Sequence, residues 1–347
     1  MQEQYEEHRC ESFLFEHVQK SLDNSAGRVH NKLNVFNNKS AQAQSRSSRI
    51  IASLLCFAAL LAAAFFLAQH GTYGWTLFVL LPLVAGALGV WSFQPQTIGK
   101  AAKIGALIGI GGSAMFLLLG REGFICVLMA LPILVPLTIV GSLLAWWGRR
   151  TLLSQKQPAA LCLLIPVSLL YDVNAKPPVY SVSTKMVVNA PPERVWKYIV
   201  AFPDIAAQPD WVLSTGIAYP IRTRIEGSGV GAPRDCDLST GTVKERVVVW
   251  DEPRLLRFVV TETPPAMKEH GLYGPITPKH LNGYYIGKAG QFTLTPLSGG
   301  RTLMVGTSWY QHGLWPAEYW RWWSDTVVHH VHARVLEHIR ELSEQKG

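Results

Sequence analysis

Four long apolar runs follow one another in the first half of the chain, and they limit its fold more than any other feature. They cover residues 50–68, 75–93, 104–119 and 124–147. At about 1.5 Å per helical residue, each run is about long enough to cross a hydrocarbon core of about 30 Å, and the third is the shortest. One such run would also suit a buried helix of a soluble protein. Four in succession predict a membrane region.

The charges near these runs are mostly positive. Residues 51–176 hold seven Lys/Arg and two Asp/Glu, and so contribute five of the eight net positive charges. Only Arg121 falls at one end of a four-helix hairpin array; the other end carries Arg46, Arg49, Lys100, Lys103, Arg149, Arg150 and Lys156. The positive-inside rule puts that end and the N-terminus in the cytoplasm. The basic balance is therefore a topology signal and predicts no nucleic-acid partner, which would need clustered charge on a folded domain.

The segments on either side of the four runs have different characters. Residues 1–49 are polar and rich in Asn, Gln and Ser, which predicts a largely disordered tail and is unlike a signal peptide. Residues 159–170 are apolar but would span only about 18 Å as a helix. They fit either an interfacial or re-entrant segment or a fifth span helped by local thinning. The two alternatives put the C-terminal half on opposite sides of the membrane.

The second half of the chain reads as a folded α+β domain. We divide the chain into the tail 1–49, a membrane helical region 50–172, a linker 173–178 and a domain 179–347. The domain begins with a strand over 179–189, a helix from Ala190-Pro191-Pro192-Glu193 to Val200, and a second short helix from Phe202-Pro203-Asp204. Strands are predicted over 221–226, 234–238, 242–250, 255–262, 284–295 and 301–311. A long helix over 316–344 ends the chain, and its broad apolar arc predicts burial against a sheet.

Three motifs in this order resemble a known superfamily. They are Val188-Asn189-Ala190-Pro191-Pro192-Glu193-Arg194-Val195-Trp196, then Trp250-Asp251-Glu252-Pro253 with Leu256-x-Phe258, and the turn Gly299-Gly300-Arg301-Thr302. Together with the element order they are similar to the START-like superfamily, also called SRPBCC or polyketide cyclase/Bet v 1-like. The resemblance implies a helix-grip domain, in which a curled antiparallel sheet surrounds the C-terminal helix and encloses an apolar cavity. Its members include both enzymes and carriers, so the fold alone does not give an activity.

Alternation along the strand 242–250 singles out one charged pair. Glu245 shares its face with Val243 and Val247, whereas the other face carries Lys244 and Arg246. If Thr240-Gly241 is a two-residue turn, Arg234 lies diagonal to Glu245 on the inner face. We therefore predict a buried or half-buried ion pair. It is either a structural pair that orients the hairpin, or a headgroup anchor in which Glu245 is the candidate catalytic acid/base.

The same face assignments give a candidate ligand cavity. Arg234 and Glu245 are its predicted polar anchors, and its predicted walls are Phe258, Phe292, Trp309, Trp323, Val327 and Val331. Five scattered cysteines without a C-x-x-C spacing give no metal or disulfide framework. The histidines His329, His330 and His332 are interpreted as a solvated face. We therefore predict neither a metal site nor a cofactor.

These features favour a multi-pass protein of the cell membrane that binds a hydrophobic small molecule or lipid in a START-like domain. The expected partners are membrane lipids and that ligand, since tethering beside the bilayer raises the local concentration of a molecule that partitions there. One alternative is a polyketide cyclase/dehydratase-like enzyme that uses Glu245 with Tyr310 or His312. A second alternative is a regulatory or structural domain whose cavity is filled by its own side chains.

Overall fold

The computed structural model describes residue 48, residues 50–151 and residues 164–345. The predicted tail, apart from residue 48, and the part of the predicted segment 159–170 that precedes Leu164 lie outside the described residues. Four helices are long and apolar enough to cross a membrane, as predicted. We number them α1 (Ile50–Gln69), α2 (Thr76–Phe93), α3 (Ile98–Leu118) and α4 (Phe124–Thr151). A shorter apolar helix, α5, covers Leu164–Asn174.

Helix α3 begins six residues before the predicted start and includes Lys100 and Lys103. The Thr97 hydroxyl accepts a hydrogen bond from the Lys100 N–H at 3.3 Å, which caps the first turn. The prediction stopped at the lysines because it followed apolar character alone. A helix end tolerates lysine, however, since the long apolar stem allows the ammonium group to reach water.

Small residues bring α2, α3 and α4 close together. The Ser142 hydroxyl of α4 donates to the Gly86 carbonyl of α2 at 3.0 Å. Gly105 and Gly109 of α3 face the α4 backbone at Ile139 and Val135, where a side chain would collide. Close approach at small residues is the usual way in which apolar helices gain contact area in a membrane.

The C-terminal half is a helix-grip domain, as predicted. A curled seven-stranded antiparallel sheet has the order β1-β9-β8-β5-β4-β3-β2, and a separate hairpin pairs β6 with β7. The strands are β1 (Val179–Val188), β2 (Pro220–Ile225), β3 (Pro233–Leu238), β4 (Gly241–Asp251), β5 (Leu255–Glu262), β6 (Glu269–Gly271), β7 (Gly274–Ile276), β8 (Tyr285–Leu297) and β9 (Arg301–His312). Helix α6 (Pro192–Val200) follows β1, and the long helix α7 (Ala317–Glu344) ends the domain.

The predicted second short helix after Phe202 is wrong. The stretch from Ala201 to Val212 has no helix, and only a short 3-10 turn follows at Leu213–Thr215. Phe202 is 3% exposed, and its carbonyl accepts the Thr223 N–H at 3.1 Å, so it extends the edge of the sheet at β2. Arg334 of α7 donates to the carbonyls of Ile205 and Ala207. Contacts with distant residues therefore fix this segment, and its local helix signal does not decide its structure.

The main core lies between the sheet, α6 and the C-terminal half of α7. Its fully buried members include Val188, Val195, Ile199, Leu256, Met304, Leu336 and Ile339. Gly306 of β9 lies beside Leu336, and a Cβ at Gly306 would be in ordinary van der Waals contact with that side chain at 3.4 Å. Burial of each large aliphatic side chain contributes about 1.5–3 kcal/mol, so this core is a main source of the domain's stability.

His332 is a buried polar connection between α7 and the sheet. Its ring nitrogens lie 3.0 Å from Thr184 Oγ1 of β1 and 2.7 Å from Ser308 Oγ of β9. Burial, together with a smaller contribution from the neighbouring His329, lowers the pKa of His332 to about 4. The interpretation of the three histidines as one solvated face is therefore wrong for His332, because α7 packs that side against the inner faces of β1 and β9.

We expect the folded protein to lose stability as the pH falls from about 6.5 to about 4, because His332 stays neutral in the fold but takes up a proton in the unfolded chain. The shift corresponds to a loss of about 3 kcal/mol from this group. His332→Gln should flatten the pH dependence of thermal unfolding of the detergent-purified protein over this range. His70→Gln, at an exposed histidine, is the control and should keep the wild-type profile. An unchanged slope in His332→Gln would contradict the assignment.

Candidate functional site at the membrane junction

Arg234 and Glu245 form a buried ion pair between β3 and β4. They are 3% and 8% exposed, and the Arg234 Nη1 donates to the Glu245 carboxylate. The two residues stand directly opposite each other in the ladder. The turn is Ser239-Thr240, because Leu238 pairs with Gly241. The register thus differs by two residues from the one expected with a Thr240-Gly241 turn. A shift of two keeps every side chain on its face, so the pair is preserved.

The surroundings of the pair are those of a structural element. Arg234 also donates to the carbonyls of Val200 at 3.1 Å and Ile199 at 3.4 Å, at the end of α6. Its guanidinium carbon lies 4.4 Å from the centre of the Phe258 ring. Burial raises the pKa of Glu245, and the Arg234 charge opposes that rise. Since Arg234 binds both Glu245 and α6, we interpret the pair as a tie between the hairpin and that helix.

The predicted wall residues fall into three groups. Phe258 and Phe292 belong to the main core, where their ring centres are 6.4 Å apart. Trp309 lies on the outer face of the sheet, with the exposed Arg257 over its ring at 4.8 Å. The expectation that Trp309 faces inward is wrong: the preceding Ser308 points to His332 of α7, so Trp309 points away. The face of β9 that packs against α7 carries the small residues Gly306 and Ser308, and Trp309 lies on the opposite face.

The third group, Trp323, Val327 and Val331, lies on α7 where the domain contacts the apolar helices. Trp323 packs against a cluster of Ala68, Tyr73, Phe78, Ala130 and Trp320. Val327 and Val331 pack against a second cluster, and Ile125 and Cys126 of α4 pack against the same one. Its members are Leu213, Ile217, Met267 and Leu281. The N-terminal half of α7 is therefore shared between the helix-grip domain and the apolar helices.

A carboxylate of the helix-grip domain caps the first turn of α4. Glu269 of the β6–β7 hairpin accepts hydrogen bonds on Oε1 from the N–H groups of Ile125 at 3.0 Å and Cys126 at 3.3 Å. These N–H groups have no partner within the helix. Gly123 makes the approach possible, because a Cβ there would collide with the Glu269 carboxylate. Burial raises the pKa of Glu269, whereas the N–H groups of α4 lower it.

A second carboxylate caps α2 in the same way. Asp172 of α5 accepts hydrogen bonds from the N–H groups of Trp75 at 2.8 Å and Thr76 at 2.9 Å. The Thr76 hydroxyl lies 2.9 Å from Ser168 Oγ of α5. Gly74 again leaves the space that the carboxylate needs. The starts of α2 and α4 are thus each held by an acidic side chain from later in the chain.

Between these two caps lies a cluster of the buried Tyr73 and Glu122 with the half-buried Cys126 and His280. The Tyr73 hydroxyl donates to Glu122 Oε1 at 2.9 Å. His280, from the 3-10 turn Lys279–Leu281, lies with Nε2 at 3.1 Å from Cys126 Sγ and Nδ1 at 3.6 Å from Glu122 Oε2. Glu122 is 8% exposed and Glu269 is 1% exposed. The cluster joins two loop regions of the membrane helices to the helix-grip domain.

Burial dominates the electrostatics of this cluster. It raises the pKa of Glu122 to about 8, with Glu269 adding to the rise and the Tyr73 hydrogen bond opposing it. It lowers the pKa of His280 to about 4. Burial and the Glu122 charge both raise the pKa of Tyr73. A polar cluster of this kind, with strongly shifted groups beside an opening, is typical of a functional site.

That opening is a half-open cleft of about 500 Å³ beside the cluster. Three segments bound it: the loop between α1 and α2, the end of α5 with the following linker, and the ends of β8 and β9. Its aromatic lining residues are Tyr73, Tyr284 and Trp315, and its polar ones include Asp172 and Gln311. Trp315 is fixed by its N–H, which donates to the Tyr73 carbonyl at 3.0 Å. The volume is within the range of small-molecule sites, about 300–1,000 Å³.

The sequence analysis did not identify Tyr73, Glu122, Cys126, His280 or Glu269 as site residues. One signal was available, since residues 51–176 contain only two acidic residues, Glu122 and Asp172. Acidic side chains beside or within apolar segments are rare because they are expensive to bury, and they mark functional positions by default. Both of them lie at the junction.

A known protein family matches part of the second half of the chain. Residues 180–318 match the family model described as polyketide cyclase / dehydrase and lipid transport, which is about two fifths of the chain. The resemblance of this half to the START-like (SRPBCC) superfamily is thereby confirmed, and the apolar helices lie outside the match. No curated protein matches the sequence.

Solved structures give only a weak likeness. Truncated norcoclaurine synthase from Thalictrum flavum is 13% identical with a TM-score of 0.33, and the alignment covers 50% of this chain and 99% of that one. A protein from Chromobacterium violaceum is 16% identical with a TM-score of 0.30, covering 48% and 98%. A protein from Mesorhizobium loti is 14% identical with a TM-score of 0.31, covering 48% and 99%. No function is transferred from them.

The structural interpretation of the Arg234–Glu245 pair predicts a large stability effect. Glu245→Gln leaves the Arg234 charge buried without its partner, and we expect it to cost about 3–5 kcal/mol in the free energy of unfolding. Asp251→Asn, which breaks the exposed pair with Arg254, is the control and should cost less than about 1 kcal/mol. Denaturant titration of both variants makes the comparison. Wild-type stability in Glu245→Gln, combined with lost ligand binding, would instead support the headgroup-anchor hypothesis.

Proposed function

We propose that this is a multi-pass membrane protein whose START-like domain binds a hydrophobic or amphipathic small molecule, or a lipid, in the junction cleft. One observation carries the proposal: the cleft is bounded on one side by the loop that joins two apolar helices and on the other by strand ends of the domain. A molecule that partitions into the bilayer would meet this opening directly. The sequence predicted a ligand site in the interior of the sheet. The proposed site lies instead at the end of the domain that contacts the apolar helices.

The chemistry of the cleft suits an amphipathic occupant. Tyr284 and Tyr73 meet edge to face, with ring centres 5.6 Å apart, and Trp315 meets Tyr171 at 6.1 Å. These rings offer apolar surface with polar edges, a combination that favours the membrane–water interface. Gln311 adds an amide side chain, held through a 3.0 Å hydrogen bond to the Pro177 carbonyl. Aromatic faces would hold the apolar part of a ligand, while the polar groups would orient its head.

The alternative enzyme hypothesis has less support from the residues on which it relied. Glu245 is buried and held by Arg234, and it is absent from the cleft lining. The Tyr310 hydroxyl donates a hydrogen bond to the Asp325 carboxylate of α7. His312 is 2% exposed and lies between aromatic rings, including Tyr180 at 5.3 Å. Binding in the cleft is therefore the function that the geometry favours.

The same contacts lead us to propose a topology. At one end of the helix array, Arg149 and Arg150 donate to the carbonyls of Val90 and Gln96. At the other end, Asp172 caps α2 and Glu269 caps α4. Helix α4 ends at the arginine end, whereas Asp172 lies at the opposite end, so we infer that Arg150 and Asp172 lie on opposite sides of the bilayer. With the arginines in the cytoplasm, the START-like domain lies on the non-cytoplasmic side.

Reporter fusions in a bacterial host test this topology. Alkaline phosphatase fused to the C-terminus should be active, because this enzyme requires an oxidising non-cytoplasmic compartment. A fluorescent protein at the same position should be dark, because it does not become fluorescent there. Fusions after Arg150 provide the control and should give the reverse pattern. A fluorescent C-terminal fusion with inactive phosphatase would place the domain in the cytoplasm and contradict the proposal.

Mass spectrometry of co-purifying small molecules tests the ligand. We expect the detergent-purified protein to carry an enriched hydrophobic or lipid species, and the double variant Tyr284→Ala, Trp315→Ala to carry at least fivefold less, because it loses two aromatic walls. Trp211→Ala removes a 79% exposed tryptophan that does not line the cleft and should leave the level unchanged. Equal levels in the folded double variant and the wild type would contradict binding in the cleft.

A further inference from the structure

The buried cluster beside the cleft contains the side chains of a transition-metal site. The ligand atoms of Glu122, Cys126 and His280 all lie within 4.8 Å of one another. Glu122 and Cys126 are four residues apart across the start of α4, so they share one face of that turn. His280 comes from the START-like domain, 154 residues further along the chain than Cys126. This separation explains why no metal spacing is visible in the sequence.

The acceptor groups of this cluster are not satisfied by the protein. Glu122 Oε2, His280 Nδ1 and Glu269 Oε2 are buried without a hydrogen-bond partner. A buried polar atom without a partner is costly, and more so when it is charged. Glu122 Oε2 and His280 Nδ1 lie 3.6 Å apart, and a bound ion that accepts electron pairs from this cluster would explain why they lack hydrogen-bond partners.

The charge balance points the same way. Glu122 and Glu269 are both buried, yet within the described ranges neither carboxylate forms a salt bridge with Lys or Arg. The nearby Arg121 lies over the Phe65 ring at 4.4 Å. Buried carboxylates are otherwise paired with a cation or coordinate a metal. A divalent cation bound by the Glu122 carboxylate and the Cys126 thiolate, with a neutral His280, would bring those three ligands to zero net charge.

We propose that Glu122, Cys126 and His280 bind a zinc ion. Sulfur, imidazole nitrogen and carboxylate oxygen are the ligands that zinc uses in proteins, in tetrahedral sites with bond lengths of about 2.0–2.3 Å. Three protein ligands leave a fourth position for water. Tyr73 orients Glu122 through its 2.9 Å hydrogen bond, and Glu269 holds the turn that carries Cys126. Hydrogen bonds to ligating carboxylates of this kind are a regular feature of metal sites.

Binding of zinc would fasten the START-like domain to the membrane helices, because two ligands come from the α3–α4 region and the third from the domain. Tyr73 also lines the cleft, so the cleft gives the ion a route from solvent to the cluster. The inference does not depend on the proposed ligand. Loss of the co-purifying species and loss of zinc are measured separately.

The experiment uses full-length protein purified through a tag without histidine, stripped with a chelator and titrated with Zn²⁺ or Co²⁺. We expect one zinc per chain by elemental analysis, a higher unfolding temperature with zinc, and a thiolate-to-cobalt charge-transfer absorption. Metal binding to the folded state raises stability by mass action. Wild-type protein that takes up substantially less than one zinc per chain, or whose cobalt form lacks the thiolate absorption, overturns the proposal.

Variants identify the ligands. Cys126→Ser should abolish the thiolate absorption, and His280→Gln should weaken zinc binding at least tenfold. Cys236→Ser removes another half-buried cysteine, outside the cluster, and should retain both signals. Gel filtration establishes that each variant is folded, and should one not fold, the wild-type cobalt spectrum still decides. Undiminished zinc binding in folded Cys126→Ser and His280→Gln would show that the metal is held elsewhere and overturn the assignment.

Discussion

The junction depends on one interaction, the hydrogen bonds between the Glu269 carboxylate and the N–H groups that begin α4. The first N–H groups of any helix lack partners within the helix and need an acceptor from elsewhere. A carboxylate at this position also interacts favourably with the helix dipole, by up to about 2 kcal/mol in a partly buried site. The helix-grip domain thus completes the first turn of an apolar helix.

The two halves of helix α7 have different packing partners. The C-terminal half of α7 forms a buried core with the sheet. The N-terminal half of α7 packs on the apolar helices through Trp320, whose ring centre lies 5.0 Å from that of Phe78. Tyr319 donates to the Met129 carbonyl of α4. One helix therefore carries both the fold of the domain and its attachment. The cleft and the proposed zinc site follow from that attachment, since each takes residues from both halves.

The features that could be predicted were those with a regular pattern of apolar residues along a short stretch of sequence. Apolar runs gave the four helices, and alternation gave the inner position of Glu245, which does not change when the register shifts by two residues. Trp309 was misplaced because both faces of β9 carry apolar residues, and only the packing of α7 selects one. The junction could not be predicted because its residues lie far apart in the sequence and meet only through tertiary contacts. They are Tyr73, Glu122, Cys126 and His280. Its one trace in the sequence is the pair of acidic residues, Glu122 and Asp172.

The helix-grip domain is docked on the apolar helices and is not a freely tethered module. A photo-crosslinking amino acid, benzoylphenylalanine, in place of Tyr319 tests this docking in the full-length protein, reconstituted in lipid nanodiscs. We expect cross-links to α4 near Met129, mapped by mass spectrometry, and none from the same group placed at the outward-facing Trp309. Cross-links from position 319 that are confined to the START-like domain or to lipid would contradict it.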